Sequence, residues 1–161
     1  MPSRRPPNLN ADLERKIAIS LFNYTWILLE KKRTRSEDEE MIHAAHASRW
    51  HWGRVGNAHN IATGEWQISR VYSVLGMPEP AMYHAKRCLA HQKKREMQDF
   101  DLPYAYEAVA RAYAVAGKKK ESSKYLKLAE KLGQSVNDKE DRDLLFADLN
   151  LVRQINHESN P

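Results

Sequence analysis

Cysteine is almost absent from this chain of 161 residues, which contains a single one, Cys88. One cysteine cannot form a disulfide within the chain, and nothing in the sequence requires an oxidising compartment. The sequence also lacks an apolar run of the roughly 20 residues that a membrane span needs. No apolar segment follows the basic start of the chain, so no secretory signal is predicted. We therefore expect a cytoplasmic protein that does not enter a membrane.

Motifs that carry catalytic chemistry are also scarce. The sequence has no glycine-rich phosphate loop, no serine-centred elbow and no paired cysteines. His84 and Cys88 lie near each other on one predicted helix, but no third group orients them as a catalytic pair. We interpret Cys88 as a small packing residue. These absences favour a binding protein over an enzyme, and they predict no cofactor.

Basic residues are in slight excess over acidic ones, which gives a net charge of +5 and a pI of about 9.3. The excess comes from three short clusters, at 31–35, 93–95 and 118–120. We interpret them as solvated helix ends, where cations complement the helix dipole. Nucleic-acid binding is the less favoured alternative. Its geometric support is that clusters 31–35 and 118–120 are predicted at turns on the same edge of the fold.

Strand patterns are missing as well, and almost every segment repeats its apolar residues with the helical period of 3.6. The sequence therefore predicts an all-α protein with seven helices joined by short connections. We expect one domain over residues 10–156. A disordered arm is predicted at 1–9 and a disordered tail at 157–161.

Capping residues predict where several helices begin and end. Asn10 is expected to cap the first helix, and the spacing of Ser36 and Glu39 is typical of a capping box at the start of the second. Gly76 and Gly117 follow the third and fifth helices, where a left-handed residue ends a helix. The apolar stripe of the first helix is predicted to consist of Leu13, Ile17, Leu21, Tyr24 and Leu28.

One phrase of the sequence occurs twice at a constant offset of 41 residues. Its arginine, tyrosine and glycine align in register. The aligned pairs are Arg70 with Arg111, Tyr72 with Tyr113, and Gly76 with Gly117. A fixed period of a few tens of residues is typical of stacked helical repeats, in which each helix pair buries its apolar face against the next.

The segment 65–132 resembles the tetratricopeptide repeat (TPR) family. The first helix of a TPR pair has a small residue, a tyrosine three residues later and a glycine four residues after that; Ser69, Tyr72 and Gly76 have this spacing, and their counterparts 41 residues on repeat it. The family period is about 34 residues, so roughly seven are added here, around 93–100. The resemblance implies a right-handed α-solenoid of about three helix pairs with a C-terminal capping helix.

In the TPR family the first helices of the pairs line a concave groove that holds a partner. This register places Trp66, Arg70, Tyr104, Glu107 and Arg111 on the inner wall of the groove. Guanidinium groups beside aromatic rings suit a carboxylate. The resemblance thus implies an adaptor or scaffold that binds a protein or peptide segment which is acidic or ends in a free C-terminal carboxylate.

Two other interpretations compete with a groove that is open to a partner. The first is local: Trp66 and Arg70 have the four-residue spacing of a cation–π contact, and Glu107 and Arg111 that of an ion pair. The second is that another copy of the chain closes the groove and forms a homodimer with a structural role.

The second predicted helix contains His43 and His46, one turn apart, which could share a zinc ion. Two histidines are too few for a full coordination set. We interpret them, together with Trp50, as a polar and aromatic seam packed against a neighbouring helix, and we predict no metal site. A metal-dependent activity centred on the two histidines is the alternative.

Overall fold

The computed structural model describes residues 9–93 and 97–158, and within these ranges the chain forms seven α-helices and no strand. The all-α prediction is confirmed. The helices are α1 (Ala11–Leu29), α2 (Arg35–Val55), α3 (Ala58–Val74), α4 (Pro78–Ala90), α5 (Asp101–Val115), α6 (Lys119–Gly133) and α7 (Lys139–Glu158). In the part of the chain that is described, no helix combines the length and apolar character needed to cross a bilayer.

Most residues of the two segments predicted to be disordered lie outside the described ranges. The arm predicted at 1–9 lies outside the described residues except for its last position. Helix α7 continues to Glu158, so the first two residues of the tail predicted at 157–161 are helical, and the others lie outside the described residues. Residues 94–96 also lie outside the described ranges. All three belong to the predicted insertion, and residues 94 and 95 belong to the second basic cluster.

The helices pack mainly against their neighbours in sequence. The largest contacts join α1 to α2, α3 to α4 and α5 to α6, and smaller ones join each of these pairs to the next helix. The odd-numbered helices also touch one another, because α5 contacts both α3 and α7 while α1 contacts α3 lightly. Within the described ranges the main chains of α2, α4 and α6 do not approach one another. Helices α1, α3, α5 and α7 therefore form one continuous row.

The 41-residue repeat of the sequence has a structural counterpart in the turns after α3 and α5. Gly76 and Gly117 have φ angles of 69° and 71°, a region that glycine adopts without the steric cost of a Cβ. After each glycine, the next N–H donates to the carbonyl of the repeated tyrosine at 2.9 Å, from Met77 to Tyr72 and from Lys118 to Tyr113. Both predicted helix ends are confirmed.

The repeated tyrosines also make the same contact in both units. Tyr72 stacks on the ring of His84, with ring centroids 5.9 Å apart, and Tyr113 stacks on Tyr125 at 5.7 Å. His84 and Tyr125 are themselves 41 residues apart. The pairs α3–α4 and α5–α6 thus share one turn geometry and one tyrosine contact.

At the start of α1 the apolar pattern of the sequence does not predict which side chain is buried. Asn10 caps the helix through its side chain, as predicted. Leu13, however, is 47% exposed, and the neighbouring Glu14 is 1% exposed. The Glu14 carboxylate is buried because His51 and Arg54 of α2 hydrogen-bond to it. The predicted place of Leu13 in the buried stripe is wrong for this reason.

The cap of α2 is Thr34, and the predicted capping box at Ser36 and Glu39 is wrong. The Thr34 hydroxyl accepts a hydrogen bond from the N–H of Glu37 at 3.3 Å, and the Glu37 carboxylate accepts one from the N–H of Thr34 at 2.8 Å. The observed capping box has the three-residue spacing that was predicted, but it begins two residues earlier in the sequence. Lys31 pairs with the Glu37 carboxylate and adds to the preference for this position.

Removal of this cap is expected to lower stability measurably. Thr34→Ala should reduce the free energy of unfolding by about 1 kcal/mol, because a first-turn N–H loses its acceptor. Ser36→Ala is the matched control and should change it by less than about 0.5 kcal/mol. Urea denaturation of both variants measures the difference. Equal losses in the two variants would contradict the assignment of the cap.

Candidate binding pocket

The groove residues predicted from the sequence come together where α3, α5 and α7 meet. The indole N–H of Trp66 donates a hydrogen bond of 2.9 Å to the Glu107 carboxylate, and Nε of Arg111 donates one of 2.6 Å to the other carboxylate oxygen. Glu107 is fully buried. The guanidinium of Arg70 lies over the Trp66 ring, 5.9 Å from its centroid. Both contacts that the four-residue spacings indicated are present.

Asp148 of α7 completes this network. Its carboxylate accepts a hydrogen bond of 2.8 Å from Arg70 and lies 3.7 Å from the guanidinium of Arg111. The main-chain carbonyl of Asp148 also accepts from Arg111, at 3.3 Å. Burial lowers the pKa of Arg111, although the neighbouring carboxylates oppose this effect. Two guanidinium groups therefore face two carboxylates, and the chain supplies all four charges.

This arrangement differs from the open, arginine-lined wall that the sequence predicts. Arg111 is 4% exposed, and the side chain of Arg70 is 13% exposed, because α7 lies against this part of the wall. A signal for Asp148 was present in the sequence, since it follows Glu107 by the same 41 residues that separate Glu107 from Trp66. The repeat register thus extends into α7.

A cavity of about 390 Å³ lies beside the network, bounded by side chains of α1, α3, α4, α5 and α7. Its volume is within the range of ordinary ligand pockets. Five aromatic rings line it, each in contact with the next at centroid distances of 6.4, 5.6, 5.3 and 6.3 Å. In order of contact they belong to Phe22, Trp26, Trp66, Tyr104 and Phe100.

Only some of the predicted groove residues reach this cavity. Trp66 and Tyr104 line it, whereas Arg70, Glu107 and Arg111 belong to the adjacent charged network. Sequence reasoning missed the contributions of α1 and α7. The available signal on α1 was a pair of aromatic residues four positions apart, at 22 and 26, which places both rings on one face of a helix.

The charged side chains at the cavity are carboxylates. Asp101 bonds to His59 at 2.8 Å, and this bond raises the pKa of the imidazole. Asp141 lines the cavity from α7. Burial raises the pKa of the Cys88 thiol, which keeps it neutral. Among the described residues that line the cavity, none is a lysine, an arginine or a histidine.

Gln92 adds an unpaired acceptor to the same lining. Its side-chain amide donates a hydrogen bond of 3.1 Å to the carbonyl of Cys88, which assigns the nitrogen end of the group. Its Oε1 atom is buried and has no hydrogen-bond partner among the described residues. A buried acceptor without a partner has an energetic cost to the fold.

A second buried carboxylate, Glu65, joins α2, α3 and α4. It is 2% exposed and bonds to Arg49 at 2.9 Å, His84 at 2.7 Å and Arg87 at 3.0 Å. Burial alone would raise its pKa. The hydrogen bonds from His84 and Arg87, together with the charge of Arg49, outweigh burial and lower the pKa of Glu65 to about 2. Two guanidinium groups and an imidazole, from α2 and α4, thus converge on a single buried carboxylate.

The two histidines considered for a metal lie in different surroundings. His46 is 3.0 Å from the Tyr72 hydroxyl, and its ring contacts that of His84; burial and the charge of His84 lower its pKa. His43 is exposed and Trp50 is 43% exposed, so the predicted seam is confirmed for His46 and wrong for the other two. In the described ranges, no group of three or more His, Cys, Asp or Glu side chains is placed to hold a metal.

The fold and the pocket together define an all-α protein whose odd-numbered helices enclose an aromatic, acid-lined cavity. Comparisons of the chain with protein-family models, with curated proteins and with solved structures give no match. A function is therefore inferred from the chemistry of the cavity.

Proposed function

We propose that this chain is a TPR-like helical-repeat module that binds a segment of another protein in the cavity between α1, α3, α5 and α7. The observation that carries the proposal is the row of five contacting aromatic rings along a cavity of about 390 Å³. Aromatic residues provide large contact area at low conformational-entropy cost and are enriched where proteins bind one another. The volume suits one anchoring side chain of a bound segment.

Two features of the fold support a helical-repeat module. The pairs α3–α4 and α5–α6 share one turn geometry and one tyrosine contact at a fixed offset. The helices α1, α3, α5 and α7 form a continuous row, as the first helices of stacked repeats do. Arrays of this kind use the surface formed by such a row to bind partners.

The rim of the cavity offers further apolar surface. Leu144 of α7 lines the cavity and is 56% exposed, whereas Leu145 and Leu149 of the same helix are fully buried. An exposed leucine beside an aromatic cavity would give a bound segment additional contact area. The proposed binding surface therefore extends from the cavity along α7.

Filling the cavity should weaken binding. We expect a phage-displayed library of random dodecapeptides to yield ligands whose affinity falls by at least about tenfold on Thr63→Phe, because the new ring occupies the anchor position. Thr63 lines the cavity, and its hydroxyl bonds only within α3, to the carbonyl of His59. Fluorescence anisotropy of labelled peptides measures the affinity.

Ser123→Phe is the matched control, because it adds the same ring to an exposed position on α6. It should leave peptide affinity within about twofold of the parent, since it is remote from the contacts that carry binding. Peptides that bind Thr63→Phe as tightly as the parent would show that the cavity is not the binding site. Circular dichroism and thermal unfolding establish that both variants are folded.

A further inference from the structure

We infer that the cavity binds a basic side chain, the lysine or arginine of the partner segment. This inference rests on the proposed function and names the chemistry of its ligand. The charge of the inferred ligand is opposite to that expected from the sequence, which predicted an acidic or carboxylate-terminated segment. Four observations on the described residues support it: the aromatic rings, the carboxylates, the apolar surface of the cavity, and the arginines that are already paired.

The aromatic rings provide the first argument. The face of an aromatic ring carries negative potential, so a cation over it is stabilised. Trp26, Trp66 and Tyr104 are contiguous, and two phenylalanine rings extend the row at its ends. One ring of the row, that of Trp66, already accepts a cation, since Arg70 lies over it.

The carboxylates provide the second argument. Asp101 is 7% exposed, and its charge is shared with His59. Asp141 has no ion pair among the described residues, so its charge is available to a ligand. A lysine or arginine would offset the charge of Asp141, whereas an acidic side chain would be repelled by it.

The apolar surface of the cavity provides the third argument. Apart from its few polar groups, the surface of the cavity is largely apolar. A lysine or arginine carries its charge at the end of an apolar stem, so the stem can cover this surface while the charged end reaches Asp141.

The charged network provides the fourth argument. A carboxylate ligand would need Arg70 and Arg111, which already bond to Glu107 and Asp148. The binding of such a ligand would displace an intramolecular partner from a site that is largely buried. A basic ligand requires no such exchange, because it uses the groups that line the cavity.

Blocked amino acids test the inference directly, without a known partner. We expect Nα-acetyl-lysine amide and Nα-acetyl-arginine amide, at low ionic strength, to shift the indole N–H signals of Trp26 and Trp66 in NMR titrations. Nα-acetyl-norleucine amide, which has the apolar stem without the charge, should bind at least about tenfold more weakly. Nα-acetyl-glutamate amide should leave both signals unchanged. The relative affinities of lysine and arginine identify the preferred ligand.

Asp141→Asn supplies the matched variant, with Asp143→Asn as its control on the same helix. Asp143 is exposed, pairs with Lys139, and does not line the cavity. We expect Asp141→Asn to weaken lysine or arginine binding about three- to tenfold and to leave norleucine binding unchanged, whereas Asp143→Asn should alter neither. Equal loss in both variants would point to a general charge effect and overturn the role of Asp141.

Two other results would overturn the inference as a whole. One is that norleucine or glutamate binds as well as the basic amides, and the other is that no basic amide shifts the indole signals up to its solubility limit. Either result leaves the proposed function open to its own test, because library peptides with an apolar anchor would still lose affinity on Thr63→Phe. The two proposals therefore fail in distinguishable ways.

Discussion

Glu107→Gln is expected to reduce the free energy of unfolding by about 3–5 kcal/mol, the usual cost of breaking a buried ion pair at one partner. Glu107 is fully buried and bonds to Trp66 and Arg111, with Arg70 3.8 Å away. Glutamine keeps the shape and an acceptor for the indole N–H. It removes the negative charge beside Arg111, whose guanidinium remains buried with only Asp148 to offset it.

Chemical denaturation of Glu107→Gln beside Glu121→Gln measures this effect. Glu121 is an exposed glutamate of α6, and its replacement should change stability by less than about 0.5 kcal/mol. Adding Arg111→Met to Glu107→Gln should restore part of the loss, since a buried ion pair can be replaced by apolar side chains at little cost. A loss below about 1 kcal/mol for Glu107→Gln would show that water or Asp148 compensates the buried charge of Arg111.

Glu65→Gln is expected to lower stability at neutral pH by about 3 kcal/mol and to have almost no effect near pH 2. The pKa of Glu65 in the folded chain is about 2, below its ordinary value of 4.5. A carboxyl with a depressed pKa stabilises the fold fully above its unfolded-state pKa, and this stabilisation is lost as the pH falls towards the folded-state value. The difference between the two values corresponds to about 3 kcal/mol.

The measurement is a pair of stability curves for the parent and Glu65→Gln between pH 7 and pH 2. The two curves should lie apart above pH 4.5 and converge as the pH falls to about 2. Other carboxylates titrate in the same window, and subtraction of one curve from the other removes their shared contribution. Curves that stay parallel throughout would show that the ionised form of Glu65 does not contribute to the stability of the fold.

Residues close together in sequence determine the parts of the fold that were predicted well. The ends of α3 and α5 are confirmed because each depends on a glycine and a tyrosine within one turn of each other. The start of α2 was misplaced by two residues although the right spacing was recognised. The choice of Thr34 over Ser36 is reinforced by Lys31, which pairs with Glu37, and by Arg33, which bonds to the end of α1.

Residues distant in sequence determine what was missed. Glu14 is buried against residues 37 and 40 positions away, and no local period indicates that a glutamate belongs in the core. The cavity has the same origin, because Trp26 meets Trp66 across two helices and 40 residues. The wall residues Trp66 and Tyr104 were identified, but the charge of the lining depends on Asp101 and Asp141, which lie in the first turns of α5 and α7.

The charged contact at Asp148 shows how α7 differs from the two helices that it resembles in register. Trp66, Glu107 and Asp148 follow one another at intervals of 41 residues, and the two arginines sit four residues after the first two of them. In α7 the corresponding place is taken by Val152, which is fully buried in the apolar core. Helix α7 therefore gives the network a carboxylate without a guanidinium of its own, and an apolar contact takes the place of the third arginine.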